Sequence, residues 1–415
     1  MASNSEAGHS FTPYQKFVIA LLAFLQFTII LDFMIMSPLG AIMMPALQIT
    51  PAQFGLVVSM YAFSAGVSGL LAAGFADKFD RKKLLLFFYA GFILGTFLCG
   101  IATDYKFLLA ARMVTGLFGG VMGSVVMAIT TDLFSLGLRG RVMGFIQTAF
   151  AGSQILGIPL GLYISNQWGW HMAFLMIVGI SLVAGVVIIF KLKPINEHLK
   201  LKSDRNAALH LWHTLKNTHF LTAFAVTALM SIGGFMLMPF GSAFTVNNMG
   251  IDILKLPMIY LVTGIFAIFI GPLVGRASDA FGKLRVFLFG ATLTIIMVLI
   301  YTNMGISPLW LVMLVNVLMF CAIFSRIIPA QAMMSAIPAP NERGAFMAVS
   351  SSLQQISGGV ASVIAGFIVV ELPGGKLQHF DTLGDILTGT VIVSAIMMFK
   401  ISREIAAKNK LAKQP

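Results

Sequence analysis

The chain has 415 residues, of which 58% are hydrophobic and only 10% charged, with a formal net charge of +12 and a mean hydropathy of +0.92. A water-facing exterior would need roughly 25% charged residues, so a soluble globular protein is excluded. The basic surplus does not point to nucleic acid either, because no stretch could fold as a soluble domain to carry such a patch.

Residues 1–14 are polar and lack the basic start of a secretory signal, so the first apolar run is expected to stay as a membrane anchor. Twelve candidate spans follow, near residues 15–40, 52–75, 83–102, 106–131, 142–165, 172–192, 218–246, 257–276, 284–304, 308–335, 345–371 and 383–400. Each approaches the roughly 20 residues a helix needs to cross the hydrocarbon core. The runs are continuous, without the alternation of a barrel strand, so the spans are predicted to be helices. Cys99 and Cys321 sit inside such runs without metal-ligand or CxxC spacing and read as small core residues.

Most of the 27 Lys and Arg fall in alternate loops. Lys78, Arg81, Lys82 and Lys83 follow span two; Lys191, Lys193, Lys200, Lys202, Arg205 and Lys216 lie near the middle; Arg403, Lys408, Lys410 and Lys413 close the chain. That bias marks cytoplasmic loops and places both termini in the cytoplasm. Residues 193–217 form the longest polar interruption and read as a linker between a bundle at 1–192 and a second at 218–415.

The two parts share signatures. Ala73 to Arg81 reads AGFADKFDR and Gly275 to Lys283 reads GRASDAFGK, so Asp77 meets Asp279 and Phe79 meets Phe281. Arg139-Gly140 before span five recurs as Arg343-Gly344 before span eleven, at nearly the same offset. An all-α membrane protein of two six-helix pseudo-repeats follows, an architecture whose site lies near the midplane between halves.

These residues resemble the major facilitator superfamily over nearly the whole chain. The family's loop pattern GxxxD(R/K)xG(R/K)(R/K) is met by Asp77, Lys78, Arg81 and Lys82, with Ala73 and Asp80 in place of its glycines. The resemblance implies an inner gate: Asp77 facing the start of span eleven near Arg343, Asp132 pairing with Arg81, and Asp279 as the second copy of the acid. The alternative is that these are solvated topology charges. Arg112 to Gly116 is similar to the family's RxxxG motif, and Leu31 to Leu39 to the start of proton-driven drug and sugar exporters. Span five carries Gly157-Ile158-Pro159-Leu160-Gly161, a form closer to sugar-efflux and chloramphenicol-exporter relatives than to the adjacent Gly-Pro of the antiporter motif.

Three charges fall well inside spans, and such charges are costly and usually functional or paired. Asp32 lies about 24 Å from Lys16 along span one, and Arg112 about 12 Å beyond Asp104 along span four. Both depths fall in the outer half, so an Asp32–Arg112 contact is expected, either as a proton-coupling pair or as a structural one. Displacing Arg112, by helix movement or by substrate, would leave a buried carboxylate that takes up a proton. Arg326 has no evident partner; it is held by carbonyls and amides, or it receives an anionic or carbonyl-bearing substrate. Gln26, Tyr61, Gln147, Gln154, Asn316, Gln354 and Gln355 are the uncharged pocket candidates, each equally able to hydrogen-bond between helices.

No phosphate loop, nucleophile constellation or metal cluster is present in the sequence, so an enzyme is not expected and no cofactor is implied. The reading is a proton-coupled exporter of a small drug-like or sugar-like solute, monomeric, in a bacterial inner membrane, with the proton gradient as energy source. An importing symporter or uniporter, a lysolipid transporter, and a receptor or scaffold on the same fold are the alternatives.

Overall fold

The computed structural model describes residues 11–200, 207–218, 220–339 and 342–411. Its first six long helices are α1 (Pro13–Ile35), α2 (Pro51–Phe75), α3 (Arg81–Gly100), α4 (Tyr105–Leu133), α5 (Leu138–Trp168) and α6 (His171–Lys191). The second six are α7 (Leu221–Asn247), α8 (Leu256–Phe281), α9 (Lys283–Thr302), α10 (Leu309–Met334), α11 (Arg343–Ile368) and α12 (Phe380–Leu411).

Eleven described helices are long and apolar enough to cross a membrane. The expected twelfth is α11, which has the length, but Ser350, Ser351, Ser352, Gln354, Gln355 and Ser357 make it too polar to qualify by composition. It packs along α2 and α7, so much of its polar face meets protein rather than lipid.

Local chemistry sets the helix starts. Thr12 and Thr50 each form a capping box, with Gln15 and Gln53, and Pro13 and Pro51 occupy the first turns. Asp80 accepts from the Lys83 N–H, and Asp104 from those of Lys106 and Phe107.

Two helices are interrupted. In α5 a π-turn at Ser153–Gly157 precedes Pro159, which has no N–H to continue the ladder. In α7 the turn Met238–Phe240 contains Pro239. Beyond Ile35 the first span continues as a separate short helix, Gly40–Leu47, that ends where Gln48 turns left-handed at φ 51°. The span expected to reach residue 371 stops at Ile368, and Val370–Glu371 pairs with Leu377–Gln378 in a small hairpin. The middle interruption is more than a tether: Ala207–Lys216 is helical and rests on α2 and α11, with Leu211, like Leu70, packed against the cluster that contains Phe346.

Packing differs between the two ends of the bundle. At the end opposite the Lys- and Arg-rich loops, one apolar core joins both halves, running from Leu31, Phe54 and Phe174 to Phe240, Tyr301 and Phe380. At the basic end the described residues form two cores, one around Leu22, Phe92 and Ile129 in the first half and one around Phe224, Phe287 and Phe346 in the second, the latter also touched by Leu70 of α2. The joined end is also stitched by hydrogen bonds. The Ser37 hydroxyl donates to the Met238 carbonyl, that of Ser242 to the Ser37 carbonyl at 2.9 Å, and that of Ser59 to the Gly359 carbonyl at 2.8 Å. Gly55 lies so close to the Ser362 carbonyl that no side chain fits between α2 and α11.

Candidate functional site: a sealed ion pair and a cavity between the halves

Asp32 of α1 and Arg112 of α4 meet, with Arg112 Nη1 donating to Asp32 Oδ2 at 2.8 Å. Both side chains are 0% exposed, so the pair is sealed from water and lipid. The Thr96 hydroxyl of α3 donates to the other carboxylate oxygen at 3.1 Å. The Arg112 guanidinium lies over the Tyr61 ring of α2, 4.6 Å from its centroid, and its Nε and Nη2 find no hydrogen-bond partner among the described residues. Four helices therefore converge on one buried charge pair. Gly116, one turn after Arg112, lets α2 approach: a Cβ there would strike the Tyr61 carbonyl and the Ser64 hydroxyl.

A cavity of about 330 Å³ lies between the halves, lined mainly by α7, α8, α9 and α10, with Met34 of α1 and Gln154 of α5 among the residues from the first half. The interruptions in α5 and α7 both border it, through Gln154 and Met238. Arg326 lines the cavity, 6% exposed, its Nε buried without a hydrogen-bond partner and the residue without an ion pair to any described group.

Of the uncharged pocket candidates, Gln154 and Asn316 line this cavity. Tyr61 lies outside the lining, beneath Arg112, with Phe33 5.2 Å away on the cavity side. Gln26 is half-buried on α1 with its carbonyl oxygen lacking a partner. Gln147 and Gln354 are exposed and Gln355 is half-buried, and none of the three is among the residues lining the cavity. Arg112 is not a lining residue either, so in this conformation a solute in the cavity does not compete directly for it.

At the basic end, Arg81 is buried and its Nε donates to Asp132 Oδ2 at 2.9 Å, while Nη1 donates to the Ala76 carbonyl at 3.0 Å. Asp77 sits in the turn Ala76–Lys78; its side chain lies outside the described residues. Asp279 near the end of α8 and Arg343 at the start of α11 are exposed. Among the described residues, no three His, Cys, Asp or Glu gather as a metal site.

Sequence reasoning missed Thr96 and the ring sequence Tyr61–Phe33–Phe235, in which Phe33 stands 5.6 Å from Phe235 at the cavity wall. Thr96 was the one to find: it is a lone hydroxyl in the last turns of α3, at the height estimated for Asp32.

The family model of the Major Facilitator Superfamily matches residues 22–362, and a second match covers residues 225–412. YceJ of Bacillus subtilis (strain 168), an uncharacterized MFS-type transporter, is 25% identical over 389 residues, 92% of this chain and 95% of the relative. Multidrug resistance protein 2 of the same organism is 24% identical over 364 residues, 86% of this chain and 90% of the relative. The structure of the nucleoside transporter NupG aligns with a TM-score of 0.75 at 15% identity, covering 93% of this chain and 99% of NupG, a likeness of fold.

Proposed function

This chain belongs to the Major Facilitator Superfamily, and we propose that it exports a small organic solute in exchange for protons. It is an integral membrane transporter and not an enzyme. The finer reading is carried by one observation, the Asp32–Arg112 pair closed off at 0% exposure inside the first half. A buried pair is a poor source of stability, because desolvation offsets most of its Coulomb attraction. A carboxylate held ionised by one cation is, however, a good proton switch: separate the cation and burial favours the protonated form.

In this reading a proton from outside reaches Asp32 when α4 shifts and Arg112 draws back, and it leaves on the cytoplasmic side when the pair re-forms. The Thr96 hydroxyl can hydrogen-bond the carboxyl in both states. Because the cavity does not reach Arg112, the solute acts through helix movement, by way of Phe235, Phe33 and Tyr61. The joined core corresponds to a closed outer gate, and Asp77, Arg81, Asp132, Asp279 and Arg343 form the inner one. Similarity to a probable sugar efflux transporter of Helicobacter acinonychis (strain Sheeba), 29% identical over 147 residues, supports the export direction. The setting proposed is a bacterial inner membrane, with both termini cytoplasmic and the chain monomeric.

The experiment is flux in proteoliposomes carrying a pH-sensitive dye. A transported solute should drive proton movement in the opposite direction in the wild type and none in Asp32→Asn. Undiminished proton movement in that variant would remove Asp32 from the coupling step, and solute entry with protons would replace export by symport.

A further inference from the structure

Among the described residues, the cavity between the halves is lined by a single charge. Arg326 is the only charged side chain among the described lining residues, which include no Asp, Glu, Lys or His. A guanidinium buried in low dielectric without a partner is costly, and the cost is relieved when a matching anion arrives. The arginine fork suits a carboxylate or sulfonate, which can accept two hydrogen bonds from it at once.

The rest of the wall says what kind of body the anion carries. Met34, Met230, Phe235, Met319, Phe320 and Phe324 give an apolar and deformable lining. The polar groups are mostly engaged already. Ser37 donates to the Met238 carbonyl, Thr245 and Tyr301 to that of Gly241, Thr294 to that of Gly290, and the Asn316 amide to that of Val312. A sugar, which needs a hydrogen-bond partner for most of its hydroxyls, would find few free here. An organic cation would meet an unopposed guanidinium and no carboxylate. Asn316 stands ten residues before Arg326, about 15 Å along α10, so the cavity is elongated with its charge near one end.

We infer that the ligand of this cavity is a small amphipathic organic anion, its carboxylate or sulfonate on Arg326 and its apolar or aromatic body against the Met and Phe wall. The inference rests on the cavity being the solute site of the transporter, and it is independent of proton coupling.

The test uses the full-length purified protein and matched triplets of arylalkyl compounds: a carboxylate, its primary amide and the trimethylammonium analogue on one skeleton. Binding is read by thermal stabilisation and by calorimetry. The carboxylates should bind at least tenfold more tightly than their amides, and the ammonium analogues more weakly still. Arg326→Gln should weaken the carboxylates at least tenfold and leave the amides within about twofold, while Arg326→Lys keeps the preference for anions. Equal or tighter binding of the ammonium members, or carboxylate binding unchanged in folded Arg326→Gln, would overturn the inference. Should Arg326→Gln fail to fold, the triplets on the wild type still decide. A carboxylate carried without any response to pH would reject proton coupling and leave this inference standing.

Discussion

The Asp32 carboxylate accepts from Arg112 and from Thr96, and these two bonds define what a substitution there must do. A structural pair and a switching pair respond differently to Asp32→Asn. If the pair only fastens α1 to α4, leaving a buried Arg112 without its anion should cost about 3–5 kcal/mol. If Asp32 is protonated during the cycle, the fold already tolerates a neutral side chain at this position. Asp32→Asn is therefore expected to melt within a few degrees of the wild type while solute-driven proton flux is lost, as thermal unfolding and dye-reported flux would measure. Thr96→Val removes a hydrogen bond to a charged group, with an expected loss of about 1.5–3 kcal/mol in the same unfolding assay. The pair itself was legible in the sequence, because two charges at similar depth on neighbouring spans have few other partners. Thr96 stood at the right depth but was overlooked, since a hydroxyl in an apolar helix commonly bonds its own preceding turn, as Thr115 does to the Ala111 carbonyl.

The breaks and close approaches of the helices shape the site as much as its side chains do. The Gly157-Ile158-Pro159 stretch of α5 was read as an exporter signature, and its structural consequence is the π-turn that places Gln154 at the cavity. Gly116 of the RxxxG stretch carries the close crossing of α4 over Tyr61. Gly116→Val should push α2 from α4, lower the melting temperature and disturb the guanidinium–ring contact, whereas Gly123→Ala on the same helix, where nothing lies within 4 Å, should be close to neutral. Thermal unfolding of the two variants side by side checks both. The hairpin at Val370–Glu371 and Leu377–Gln378 escaped the sequence reading because hydropathy ran on past Ile368 without a break.

In the proposed transport cycle, a bundle whose described residues share one core at one end and divide into two at the other opens at the divided end. In a bilayer, contact between helices depends on close packing more than on exclusion of water, so small residues at the joined end govern its closure. Gly55 sits where α2 meets the Ser362 carbonyl of α11, and Gly55→Leu should hold that end apart. With Cys99 and Cys321 replaced by Ala, Ser37→Cys, at the cavity edge of that end, should react faster with a membrane-impermeant maleimide from outside once Gly55→Leu is added, and flux should fall. Unchanged labelling would show that the seam closes by other contacts.

The composition, the long apolar runs and the repeated loop signatures were enough to establish a helical membrane transporter of two related halves, because lipid leaves the backbone few alternatives and a repeat persists as sequence. They were enough, too, to bring Asp32 and Arg112 together, since depth follows from counting residues. What counting could not supply was azimuth: which face of each helix turns toward which neighbour. Only the tertiary arrangement placed Tyr61 under Arg112 instead of in the cavity, kept Gln147 and Gln354 out of the lining, and set Arg326 in the wall of an apolar chamber. Helix rotation is decided by packing between segments far apart in the chain, which a reading along the sequence does not contain.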